Sequence, residues 1–173
     1  MAVAKPKKIP KYHLDLAGEY RICSELHKRG VFCTLTYGAR KSADIYAIDH
    51  DSGRALRIEV KTNQGSNFVT GISQKGLATA LAAPDFWVLF LLRQLDDGDF
   101  DERFYVASHE ELCAVQAAVN EEYAVGYRQR HDREPDFSRG VDNVKLAAVA
   151  DFEDRWDKIV EAMNGGAPPR ESP

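Results

Sequence analysis

Between Arg54 and Thr62 the chain alternates: Leu56, Ile58 and Val60 are apolar, and Arg57, Glu59 and Lys61 between them are charged. A period of two marks a strand with one packed face, and no other segment shows it so clearly. Upstream, Leu16, Ile22, Cys23 and Leu26 share one face at about 100° per residue. That spacing predicts a helix from about Leu14 to Arg29, stopped by Gly30, which suits the position after a helix end. Glu19 falls in the middle of its apolar face.

Val31 to Tyr37 and Ala43 to Asp49 read as two strands joined by the loop Gly38-Ala39-Arg40-Lys41-Ser42, with a turn at Asp51-Ser52-Gly53 before the alternating strand. Asn63 to Ser73 reads as a loop, followed by a short helix that begins near Ser73 or Gln74 and ends before Pro84. Phe86 to Leu92 is unbroken apolar sequence, as expected of a central strand buried on both faces. After a polar turn from Leu95 to Asp101, Arg103 to Ala107 is a short strand. Ser108 caps a helix running to about Val125, with Glu111 at the capping-box spacing. Tyr127 to Gly140 reads as a charged linker and Asp151 to Met163 as a last helix, whose apolar face carries Trp156, Ile159 and Val160. Trp87 reads as core. This order predicts an α/β sandwich, a mixed central sheet flanked by helices.

With 173 residues, the chain is expected to form one domain over residues 12–164, with its core in 12–107 and C-terminal helices in 108–164. Residues 1–11 read as a solvated basic arm whose lysines, Lys5, Lys7, Lys8 and Lys11, could reach phosphate. Residues 165–173, rich in Gly and Pro, read as a disordered tail.

The composition, 44% hydrophobic and 29% charged, is that of a soluble globular protein. No apolar run spans a bilayer and the N-terminus lacks the apolar core of a signal peptide, so a cytoplasmic protein is expected. Cys23, Cys33 and Cys113 are an odd set without C-x-x-C pairing, and read as free thiols rather than a disulfide framework. A net charge of -4 argues against a protein that coats nucleic acid, though not against an enzyme with a local basic surface. His13, His27, His50, His109 and His131 are too scattered for a zinc site. There is no phosphate-binding glycine loop and no G-x-S-x-G elbow, so neither a nucleotide cofactor nor a serine nucleophile is expected.

Glu59-x-Lys61 alone is a common spacing, but on an alternating strand both side chains project from one face, about 7 Å apart along the strand. Packing on the other face makes that mounting rigid. Asp44 precedes the turn, and a hairpin would bring it near Glu59. Two such carboxylates can hold Mg²⁺, a hard ion that takes oxygen ligands. The ion would polarise a phosphoryl oxygen and acidify bound water. Lys61 would orient or deprotonate the attacking water, or neutralise developing charge. Glu19, an acid on an apolar helix face, requires a partner or a metal. A salt bridge, for instance to Arg57, is the alternative.

Helix with Glu19, strand, Gly38-x5-Asp44, turn, then Ile58-Glu59-Val60-Lys61: this arrangement resembles the PD-(D/E)XK nuclease superfamily over residues 12–107, and within it the small Holliday-junction-resolvase-like members. The resemblance implies a restriction-endonuclease-like fold and Mg²⁺-dependent DNA hydrolysis leaving 5′-phosphate ends, with Mn²⁺ as a substitute. It makes Asp44 and Glu59 the metal-binding acids, Lys61 the catalytic lysine and Glu19 the first-helix glutamate. Ala43 stands where the family name has Pro. Arg40 and Lys41 in the loop before Asp44, and Gln74 and Lys75 at the entrance of the next helix, are the candidate DNA contacts. The resemblance is also compatible with a homodimer, since resolvase-like relatives cut two strands symmetrically. Two alternatives stay open: a non-catalytic DNA-binding or DNA-repair accessory protein on this fold, and an interaction module whose acids and lysine form only a structural ion cluster.

Overall fold

A computed structural model describes residues 8–37, 43–73, 83–137 and 142–165. Helix α1, Lys11–Lys28, leads into strands β1 (Cys33–Leu35), β2 (Ile45–Ile48) and β3 (Ala55–Asn63). Then come β4 (Asn67–Val69), β5 (Phe86–Gln94), β6 (Phe100–Ser108), helix α2 (His109–His131) and β7 (Asn143–Lys145). A 3-10 helix, Leu146–Phe152, and helix α3, Asp157–Asn164, complete the described elements. The central sheet has five strands in the order β1-β2-β3-β5-β6. β3 and β5 are parallel and the other pairs antiparallel, so the sheet is mixed.

Strand β5 lies between β3 and β6, and Phe86 to Leu92 are all buried. Their alternation builds two cores. Val88, Phe90 and Leu92 join Ile58, Val60 and Phe104 against Ile22 and Leu26 of α1 and Ile159 and Met163 of α3. On the opposite face Trp87, Leu89 and Leu91 pack with Phe68, Leu112, Val144 and Val149. Each fully buried side chain of this size contributes roughly 1.5–3 kcal/mol, so β5 anchors the helices on both faces. No helix among the described residues is long and apolar enough to cross a membrane.

Several elements differ from the sequence expectation, each for a local reason. Helix α1 starts earlier, at Lys11, and buries Leu14, Gly18 and Ile22 where Leu16 had been placed; Leu16 is only half-buried. It ends as expected: Gly30 adopts φ 76° and its N–H reaches His27 O at 3.0 Å. Helix α2 continues past Val125 to His131, into the first part of the segment that reads as a charged linker. Its basic last turn, with Arg128, Arg130 and His131, complements the helix dipole, and Asp132 closes it in the left-handed conformation at φ 51°. The capping box at its start forms as anticipated: Glu111 N donates to Ser108 Oγ at 3.2 Å and Ser108 N to Glu111 Oε2 at 2.8 Å. The last helix does not begin at Asp151. Glu153 bridges to Tyr105 and Asp154 N donates to Phe104 O at 2.9 Å, so the chain pairs with the β6 edge and breaks before α3. β4 and β7 pair with each other across a long sequence separation and had not been anticipated. The helix expected before Pro84 falls largely outside the described residues.

One buried charge on α1 is held by three cations. Glu25 accepts from Lys28 Nζ at 2.9 Å, from Arg29 Nη1 at 2.6 Å and from Arg21. Arg21 also reaches Glu102 of β6 at 2.8 Å. Burial alone would raise the Glu25 carboxyl, but the hydrogen bonds from Arg29, Lys28 and Arg21 outweigh it and bring it to about 2. A folded value below the ordinary 4.5 means stabilisation that is complete above pH 4.5 and lost as pH falls toward 2. Glu25→Gln should therefore lower the urea midpoint at neutral pH, and the gap from the parent should close on acidification through that window.

Candidate active site

β3 is longer than β2, and the candidate site lies where β2 stops. The last cross-strand pair is Ile45 with Ile58, and Asp44 N donates to Ile58 O at 3.1 Å. The next outward-facing donor of β3, Val60 N–H, meets Asp44 Oδ2 at 2.8 Å. A side-chain carboxylate thus substitutes for the missing β2 carbonyl. Thr36 N holds the Asp44 carbonyl at 2.9 Å from the other side, so this acid, only 7% exposed, is fixed at both ends.

Glu59 and Lys61 project from the α2-side face of β3, in register with Trp87 and Leu89 of β5. Lys61 Nζ lies 2.5 Å from Glu59 Oε1 and 5.8 Å from the centre of the Trp87 ring. Trp87 is fully buried and donates from Nε1 to His109 Nδ1 at 3.0 Å, so the surface under Lys61 is itself fixed.

Helix α1 closes the other wall. At Gly18 it comes so near β3 that a Cβ there would lie 1.8 Å from Thr62 Oγ1. Glu19, the next residue, is 8% exposed and lines the same cleft, of about 640 Å³, as Asp44, Glu59, Lys61 and Thr62. Arg57, the alternative partner considered for Glu19, has its guanidinium 3.4 Å from Asp85. The Gly18 contact is the residue-level reason that α1 can bring an acid to this strand. Gly18→Ala should gain up to about 1 kcal/mol in helix propensity. The enforced shift of a β-branched neighbour should outweigh that, since overpacking costs about 1–3 kcal/mol. A lower urea midpoint, partly restored by Thr62→Ala, is the expected result.

The structure therefore brings Glu19, Asp44, Glu59 and Lys61 to one cleft. The expected DNA contacts Arg40, Lys41, Gln74 and Lys75 lie outside the described residues. Among the described residues no group of three or more His, Cys, Asp or Glu is arranged to hold a metal ion. A two-carboxylate set still fits Mg²⁺, which is commonly held through one or two carboxylates and keeps several waters. It does not fit a closed structural zinc site. Cys23, Cys33 and Cys113 are free thiols, as expected.

Gln64 and Gly18 had not been singled out from sequence. Gln64 follows β3 and pairs with the backbone of Ile9: Ile9 N donates to Oε1 at 2.9 Å and Nε2 donates to Ile9 O at 3.0 Å. Its partner is remote in sequence, so no local pattern marks it. Gly18 lay inside a helix, where the pattern gave no sign of a close strand.

No protein-family model and no curated protein sequence matches this chain. Among solved structures, that of a bacterial homing endonuclease, I-Ssp6803I, is similar, with a TM-score of 0.53 and 13% identity over 91% of this chain and 96% of that one. At that identity the likeness is one of fold alone: a mixed sheet flanked by helices.

Proposed function

We propose that this chain is a Mg²⁺-dependent endodeoxyribonuclease of the PD-(D/E)XK type. The observation that carries the reading is the convergence of Asp44, Glu59 and Lys61, with Glu19 opposite, in one cleft at the end of a hairpin. The fold shared with a homing endonuclease supports DNA as the substrate class.

Asp44 and Glu59 would hold the ion, with Mn²⁺ as a substitute. When bound, it supplies charge neutralisation at the phosphoryl oxygen and a more acidic water. The chain's own groups do the rest. Lys61, whose ammonium stands beside Glu59, directs the attacking water at phosphorus and offsets charge in the transition state. Glu19, on the α1 wall, accepts a hydrogen bond from water in the cleft. Attack forms a P–O bond and breaks the bond to the 3′-oxygen, which takes up a proton, leaving a 5′-phosphate and a 3′-hydroxyl. Arg40, Lys41, Gln74 and Lys75 remain proposed DNA contacts, and a two-fold homodimer would place one such site on each strand.

Plasmid nicking tests the reading directly. Supercoiled DNA should be nicked or linearised with Mg²⁺ or Mn²⁺ and left intact with EDTA. DNA retardation without cleavage under any of these conditions would instead favour a non-catalytic DNA-binding protein.

A further inference from the structure

The cleft contains more acid than base. Asp15, Glu19, Asp44 and Glu59 line it against Lys8, Lys11 and Lys61, four negative groups to three positive. Two of the three cations are already matched: Lys61 lies on Glu59 at 2.5 Å and Lys11 on Asp15 at 2.8 Å. Lys8 is the third. It is exposed, and it makes no ion pair among the described residues.

Lys8 is placed through its neighbour. Its neighbour Ile9 is gripped by Gln64 through both backbone groups, at 2.9 and 3.0 Å. A primary amide offers one acceptor and two donors, and this geometry uses it as a strand partner would be used. Gln64 is in turn set by a tight turn: Asn63 Oδ1 accepts from Gln64 N at 2.8 Å and from Gly65 N at 3.2 Å. Pro10 then leads into α1, which fixes the far side of the segment. Ile9, just before α1, is therefore tied to the end of β3, the strand that carries Glu59 and Lys61.

We propose that Lys8 is a DNA-phosphate contact at the rim of this cleft and that Gln64 is the residue that positions it. The inference rests on the nuclease reading and deepens it by naming where the substrate backbone enters. The ion that Asp44 and Glu59 would hold serves the scissile phosphate; a neighbouring backbone phosphate at the rim needs a cation not already paired with a carboxylate, and Lys8 meets that need. Both ends of the Gln64 amide are engaged by the Ile9 backbone, so its effect on DNA comes through the place it gives Lys8.

The test is binding of a short fluorescein-labelled DNA duplex, followed by anisotropy across a range of NaCl concentrations, with Ca²⁺ in place of Mg²⁺ to prevent cleavage. Lys8→Ala should reduce the slope of log affinity against log salt by about 1, the mark of one lost phosphate contact. Gln64→Ala should reduce it by a similar amount although no charge is removed, and the double variant should lose no more than either alone. Lys8→Arg should keep the parent slope. A purely structural role for Gln64 would lower the melting temperature without moving the slope, and that outcome overturns its positioning role. A parent slope in Lys8→Ala, in a parent that binds and cuts DNA, overturns this inference and leaves the nuclease reading intact. Failure of the parent itself to bind or cut DNA overturns both.

Discussion

Lys61→Ala is expected to slow DNA cleavage by about 10²–10³-fold, the usual cost of removing one preorganised electrostatic group from a reacting centre. The side chain leaves no core cavity, since it is 24% exposed and stands on the polar side of β3. Its loss should alter stability by no more than about 1 kcal/mol, the scale of a partly exposed ion pair. The Mg²⁺ dependence separates this variant from one that has lost a ligand. An ammonium is not a ligand for a hard cation, which selects oxygen. Lys61 instead competes for Glu59, 2.5 Å away, so its removal should leave the Mg²⁺ midpoint unchanged or move it to lower concentration. Single-turnover cleavage against Mg²⁺ concentration, with circular dichroism as a folding control, reads both quantities. A variant that cuts at the parent rate would refute the catalytic role of Lys61.

What was legible in the sequence follows from the range of the interactions. The alternation in Ala55–Asn63 is local, and so are the turn closed by Gly53, the capping box at Ser108 and the apolar run of β5. These set the β2–β3 hairpin, and with it the approach of Asp44 to the strand of Glu59 and Lys61. What was not legible depends on partners remote in sequence. β4 exists because Asn67–Val69 pairs with Asn143–Lys145, and three residues carry too little pattern of their own. The 3-10 helix and late start of α3 reflect pairing of Glu153 and Asp154 with the β6 edge. The clamp of Gln64 on Ile9 is likewise non-local. The misplaced stripe of α1 has another cause. Leu14, Gly18, Ile22 and Leu26 face the sheet because Gly18 permits a close approach, whereas an apolar count weights Leu16 above a glycine. Charge density misled at α2, where Arg128 and Arg130 stand in the last turns of a helix.

Asp44 has two duties that substitution can separate. Its Oδ2 accepts the Val60 N–H at 2.8 Å, at a point where β2 has ended and Val60 is only 7% exposed. Its charge, in the proposed reaction, holds the ion with Glu59. Asp44→Asn can keep an oxygen acceptor for Val60 while removing the charge. It should fold with near-parent stability, require more Mg²⁺ and cut at least about 10²-fold more slowly. Asp44→Ala removes acceptor and charge together. It leaves a buried backbone donor unmatched, which costs about 1–3 kcal/mol, so it should add a lower urea midpoint to the same catalytic loss. The comparison distinguishes a structural acid from a metal-binding one. If Asp44 served only to finish the edge of β3, Asp44→Asn would retain the parent rate and Mg²⁺ midpoint while Asp44→Ala lost stability alone. If it serves the reaction, the two variants should share the loss of rate and the shift to higher Mg²⁺, and differ only in the denaturation curve.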